Sequence, residues 1–219
     1  MKKMIALMLS ILLLFTLSAC AGDSGQESGN AAENTPAETV IPSLEAQGSA
    51  AAEPEASVGG KALVLYFSCT GNTEAVAKEI AAQTGAEAME LLPEEPYTED
   101  DLNYQDDNCR ANQEMNDENA RPAISGRIEN LSDYDTLYIG FPIWWGTMPR
   151  IMNTFFDEYD LSGKTVMPFC TSGGSGIDQA VSAIREAEPD AEVREGLRVG
   201  SGSAENCTEA VAAWLEGNE

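Results

Sequence analysis

The sequence predicts an α/β domain, a doubly wound parallel sheet with helices on both faces, over residues 61–219. Two observations carry this. From Lys61 to the end, short apolar runs alternate with stretches of helical period, and strands separated by helices call for a parallel sheet covered on both faces. The first run, residues 62–67 (ALVLYF), enters a turn of small hydroxyl residues with one glycine and then a helical pattern. That is a strand, a tight loop and a helix N-terminus.

Residues 61–67 form the first strand. A helix over 74–84 follows, with Ala75, Val76, Ile80 and Ala81 on one side. Residues 86–91 are a weaker second strand and 136–141 (TLYIGF) a third. A helix over 149–159 opens with Pro149 in its first turn, where proline is tolerated. Residues 164–170 make the fourth strand, and Pro189 stops the next helix, 177–188. A last strand over 193–199 is interrupted by Gly196, and a closing helix over 205–216 turns Val211, Trp214 and Leu215 inward. There is no internal repeat.

Between the second and third strands lies a long stretch, 93–135, with ten acids between Glu94 and Glu118. Its composition reads as a solvated acidic excursion. Its length exceeds a usual connection, and the other reading is a lid with a short helix over 103–119. Tyr97, Tyr104 and Arg110 would then face a ligand.

Two segments precede the domain. Lys2 and Lys3 lead an apolar run from Met4 to Leu17, short of the ~20 residues that span a bilayer as a helix. It ends in Leu17-Ser18-Ala19-Cys20, which resembles the lipobox of bacterial lipoproteins. The resemblance implies a signal peptide over 1–20, a lipid on Cys20 and an extracytoplasmic protein anchored to the bacterial cell membrane. Plain secretion with cleavage near Ala19 or Ala21 is the other reading. Residues 21–60 are Ala, Gly, Ser, Glu and Pro with no aromatic residue, a linker too poor in apolar surface to order itself.

The strand–loop–helix junction suits an anion, most often a phosphate, because backbone N–H groups and the positive end of a helix dipole meet there. Ser68, Thr70, Asn72 and Thr73 add side-chain donors around Cys69, and Gly71 lets the backbone approach closely. The loop has neither Lys nor Arg. It lacks the Gly-Lys-Ser/Thr of a nucleotide-hydrolysing loop and the three glycines of a dinucleotide site. Ala75 stands where a cysteine phosphatase would place its arginine. A loop remains that holds a terminal phosphate without reacting with it.

S-x-T-G-N-T after a first strand resembles the phosphate loop of flavodoxins, which bind FMN. In open α/β sheets, ligands sit at the carboxyl ends of the strands, so the loops after strands 3 and 4 should meet the first. The former is Pro142, Ile143, Trp144, Trp145 and Gly146. Two adjacent tryptophans in an exposed loop favour an aromatic platform. The latter is Thr171, Ser172, Gly173, Gly174, Ser175 and Gly176, whose amides could bind the edge of a ring. The spans IGFPIWWGTMP and LSGKTVMPFCTSGGSG are similar to a flavodoxin-like subfamily found in bacteria. This resemblance covers nearly all of residues 61–219. It implies five strands in the order 2-1-3-4-5, FMN with its phosphate on Ser68–Thr73, and the ring between the two later loops. Other flavodoxins often carry a tyrosine in the loop after strand 4. None occurs here, which leaves the second ring face open.

Composition excludes other classes. The chain has 37 acids against 12 bases; the first 60 residues hold seven and two of these, leaving the domain at −20. Such a surface argues against nucleic acid and anionic lipid; it suits a basic redox partner or simply the solubility of an exported protein, and would lower a flavin's potential. There is no histidine, which removes Ser-His and Cys-His catalysis and disfavours zinc. Cys69, Cys109, Cys170 and Cys207 show no CxxC spacing, and a Cys109–Cys207 disulfide is left open. Cys69 and Cys170 read as small buried residues near the strand ends.

The expected function is FMN-dependent electron transfer, with no catalytic side chain or metal, to a redox protein or quinone-like acceptor. The alternatives are an FMN-dependent NAD(P)H:quinone oxidoreductase and a flavodoxin-fold binding module without flavin.

Overall fold

The computed structural model describes residues 60–218. The leader, Cys20 and the linker as far as residue 59 lie outside the described residues.

The elements run β1 (Ala62–Tyr66), α1 (Asn72–Thr84), β2 (Glu87–Glu90), α2 (Arg110–Asn116), β3 (Thr136–Pro142), α3 (Arg150–Glu158), β4 (Thr165–Ser172), α4 (Asp178–Ala187), β5 (Glu192–Val193), β6 (Leu197–Gly200) and α5 (Thr208–Glu216). Short 3-10 turns at Leu131–Asp133 and Ser201–Asn206 precede β3 and α5. The strands are parallel in the order β2-β1-β3-β4-β5, with β6 also on β4. The strand order is the expected one.

Two cores flank the sheet because alternate strand residues face opposite sides. Leu63, Leu65, Leu137, Ile139 and Phe141 pack with Ile151, Phe155 and Ile184 of α3 and α4. Val64, Tyr66, Tyr138 and Phe169 pack with Val76, Ile80, Val211 and Trp214 of α1 and α5. Gly140 belongs to the second face, and the Phe169 ring lies where its Cβ would be. Gly140→Ala should therefore destabilise the domain by about 1–3 kcal/mol, the usual cost of overpacking. A urea midpoint unchanged from the parent would contradict this packing.

The last predicted strand is two strands. Val193 pairs with Val166, and Leu197 with Phe169, so the edge carries one more residue than β4 across the gap, as in a bulge. The gap holds the expected Gly196, against which Ile177 and Val181 pack too closely for a Cβ, and it lies opposite a proline. The Val166 carbonyl accepts from Arg194 N–H at 2.9 Å, and groups two residues apart along a strand point the same way. Pro168 therefore faces that edge with no N–H to give.

The acidic stretch is an ordered cap, although most of its acidic side chains do face solvent. Its ends close on each other: Glu94 N–H donates to Ala123 O and Ser125 N–H to Leu92 O, both at 2.8 Å. Arg150 of α3 donates to Met115 O (3.0 Å), Thr154 donates to Pro122 O (2.9 Å), and Arg121 pairs with Asp157. The only α-helix within it is the short α2, narrower than the expected 103–119. Leu102-to-Asn108 is a run of turns instead.

Candidate functional site

β1 delivers residues 68–73 to the carboxyl edge of the sheet, and α1 starts from Gly71. Gly71 has φ +82°, a left-handed conformation that only glycine adopts freely, and α1 has no side-chain cap. Asn72 Nδ2 donates to Thr70 Oγ1 at 3.1 Å, which orients an exposed hydroxyl. Thr73 is buried, and its hydroxyl shares a 2.8 Å hydrogen bond with that of Thr171, tying the loop to the end of β4. Ser68 Oγ is buried and has no hydrogen-bond partner among the described residues. A buried, unpaired hydroxyl costs about 1–3 kcal/mol, and here it lines a cavity.

That cavity has a volume of about 420 Å³, within the usual range for small-molecule sites. One wall is Ser68, Cys69, Thr70 and Thr73; a second is Pro142, Ile143, Trp144 and Trp145. The tryptophans diverge. Trp144 turns in, edge-on to Phe67 (5.8 Å) and Tyr97 (5.3 Å). Trp145 turns out and is 49% exposed. Reciprocal Trp144–Thr147 hydrogen bonds close a two-residue turn on Trp145 (φ +48°) and Gly146 (φ +86°). Positive φ at both central positions defines a type I′ turn, normally Asn-Gly. An indole held there is strained, and such outliers gather at functional sites.

The third wall comes from the cap: Leu102, Tyr104 and Ala111. Tyr104 was flagged by the sequence; Leu102 and Ala111 were not, since each is a lone apolar residue in acidic surroundings. Tyr97 and Arg110 lie behind this wall. Tyr97 donates to Glu114 at 2.5 Å, Arg110 pairs with Glu114 at 2.6 Å, and the guanidinium lies 4.0 Å over the Tyr97 ring.

Thr171 and Ser172 are buried and Gly173, Gly174 and Gly176 exposed, and none of the five lines the cavity. The Ser172 hydroxyl accepts from Gly174 N–H at 3.1 Å, stabilising the loop itself. Gly71, Asn72 and Gly146 shape the walls without lining them. Cys69, Cys109, Cys170 and Cys207 are all free thiols. Burial pushes Cys69 and Cys170 up to about 12, so both stay neutral and poorly nucleophilic at physiological pH. The uncharged loop can supply amides and hydroxyls to an anion, and the other two walls bring apolar and aromatic side chains that can cover something flat.

A doubly wound sheet in this order, with its cavity at the strand carboxyl ends beside an uncapped helix N-terminus, defines a flavodoxin-like protein. The family described as flavodoxin matches residues 61–218, and the chain belongs to that family. Among solved structures it is similar to a candidate flavoprotein from Bacteroides eggerthii, at 40% identity over 73% of this chain and 98% of the other, TM-score 0.68. One from Bacteroides uniformis gives 41% over 72% and 99%, TM-score 0.67. A flavoprotein from Lactobacillus acidophilus, solved in complex with FMN, matches at 24% over 72% and 99%, TM-score 0.55, and shares the fold.

Proposed function

We propose that the domain binds FMN and serves as an electron carrier, held outside the cell membrane by a lipid on Cys20. The observation that carries the cofactor is the pairing of the orphaned Ser68 hydroxyl with the strained Trp145 on two walls of one cavity. Both arrangements cost free energy in the folded chain, and a phosphorylated flat ring would offset both. Family membership and the FMN complex of the Lactobacillus acidophilus protein support the same reading.

The residues fit the group. Ser68 and Thr70 hydroxyls and the free amides at the start of α1 would hold the phosphate, with α1's dipole supplying the positive potential. The tryptophan turn would cover the ring and exclude water. Bound FMN supplies the redox chemistry; the chain positions it and tunes its potential. The tether rests on the leader and lipobox alone. Among the described residues no helix is long and apolar enough to cross a membrane.

The test is titration of the chain expressed from residue 21 with FMN, followed by tryptophan quenching and the visible spectrum. FMN at about a hundredfold excess over Kd should add roughly 2.7 kcal/mol of stability. Colourless protein with unquenched tryptophan at micromolar FMN would leave only the flavin-free binding module. Rapid turnover with NADH or NADPH and a quinone would replace the carrier by the oxidoreductase.

A further inference from the structure

We infer that Tyr104, set in place by the buried Asn112, covers the second face of the bound ring, a task the loop after β4 has no aromatic residue to perform. The inference rests on the flavin reading above. Three observations lead to it.

Tyr104 lines the cavity yet is 71% exposed. It is the most exposed large apolar side chain among the described residues, and it stands on the wall of a cavity rather than alone on the surface. Next, the backbone that carries it is fixed. Asn112 is 5% exposed, and its Nδ2 donates to Tyr104 O at 3.2 Å and Asp106 O at 2.7 Å. A buried amide spent on two carbonyls of one turn specifies that turn's shape, because any other shape strands its donors. Ala111 N–H adds a bond to Asp101 O at 3.0 Å on the other side of the tyrosine.

The wall behind the turn is rigid as well. Tyr97 sits edge-on to Phe67 and Trp144, capped by Arg110 and bonded to Glu114. The cap and the tryptophan turn thus share one aromatic cluster, and the cap's position is set from the same residues that set Trp144. The only apolar side chains the cap offers the cavity are Leu102, Tyr104 and Ala111. Of these, Tyr104 alone has a flat face, so stacking falls to it.

The experiment compares Tyr104→Ala, Tyr104→Phe, Asn112→Ala and the double variant Tyr104→Ala/Asn112→Ala in the chain from residue 21. Kd is read for FMN and for lumiflavin, a ring without a phosphate, together with the midpoint potential of the FMN complex. Tyr104→Ala should weaken both ligands by the same factor, about tenfold. It should also raise the potential, because solvent admitted to the ring favours the more negative reduced form. Tyr104→Phe should restore the parent values. Asn112→Ala should move both readouts the same way and add little once Tyr104 is gone, the signature of a residue that acts through another.

Being exposed, Tyr104 can be replaced without threatening the fold, so the inference stays testable even if Asn112→Ala fails to fold. Unchanged affinity and potential in Tyr104→Ala, in a protein that binds FMN normally, would overturn the inference and leave the flavin reading standing. A parent protein that ignores both ligands would sink both.

Discussion

Trp144→Ala should cost about 2–4 kcal/mol of stability, whereas Trp145→Asn, one residue on, should leave stability within about 1 kcal/mol and remove tenfold or more of flavin affinity. The contrast follows from how the turn divides the pair. Trp144 is partly buried and packs edge-on against Phe67, Tyr97 and the aliphatic core, and truncating so large an aromatic leaves a gap that the surroundings fill only in part. Trp145 is half exposed. Losing its buried half costs at most roughly 3 kcal/mol at 25 cal/mol per Å², an upper bound because unfolded chains are themselves partly compact. Against that stands the release of a left-handed bulky residue, about 1–3 kcal/mol, and the gain of the Asn-Gly pair that type I′ turns prefer. The opposing contributions nearly cancel for folding, but nothing cancels the loss of the indole for a ring. Urea midpoints and flavin titrations on the two variants decide it. A Trp145→Asn variant that unfolds as readily as Trp144→Ala would make Trp145 a core residue and deny it the ligand role.

The three central strands were legible because burial on both faces makes parallel strands continuous apolar runs, and 62–67, 136–141 and 164–170 are such runs. Where the sequence misled, the cause lay in another part of the chain. The break between β5 and β6 falls at the expected Gly196, but Pro168 on the neighbouring strand also withholds a partner there. The cap is acidic, so its composition speaks for solvent. Its order comes from Arg150, Thr154 and Asp157, more than 30 residues away, and from one buried asparagine whose role no periodicity announces. The tryptophan turn is legible as a loop but not as a type I′ turn, because Trp-Gly lacks the first residue that advertises one. At the glycine-rich loop, composition suggested ligand contact. The structure commits the Thr171 hydroxyl to Thr73 and the Ser172 hydroxyl to Gly174 and leaves the glycines exposed, so that expectation now rests on the backbone amides.

Ser68→Ala should do two opposite things: stabilise the flavin-free domain by about 1–3 kcal/mol and weaken FMN roughly tenfold to a hundredfold, while riboflavin binding stays within about twofold. The four polar side chains of the phosphate loop looked equivalent in the sequence and are not so in the structure. Thr73 is committed to Thr171, so Thr73→Ala strands a buried hydroxyl and harms fold and ligand together. Thr70 is exposed and oriented by Asn72, so its loss should weaken FMN with little effect on stability. Ser68 alone is buried with no partner. Replacing it by alanine removes the desolvation penalty of an unmade hydrogen bond, hence the gain in stability. The same hydroxyl, donating to a doubly charged phosphate in a cradle without Lys or Arg, makes a charge-assisted bond worth about 1.5–3 kcal/mol, hence the loss of FMN. Riboflavin has no phosphate and should not notice. If Ser68→Ala destabilises the empty domain, the hydroxyl has a structural partner. If FMN and riboflavin weaken equally, it faces the ring and the orientation of the ligand proposed here is reversed.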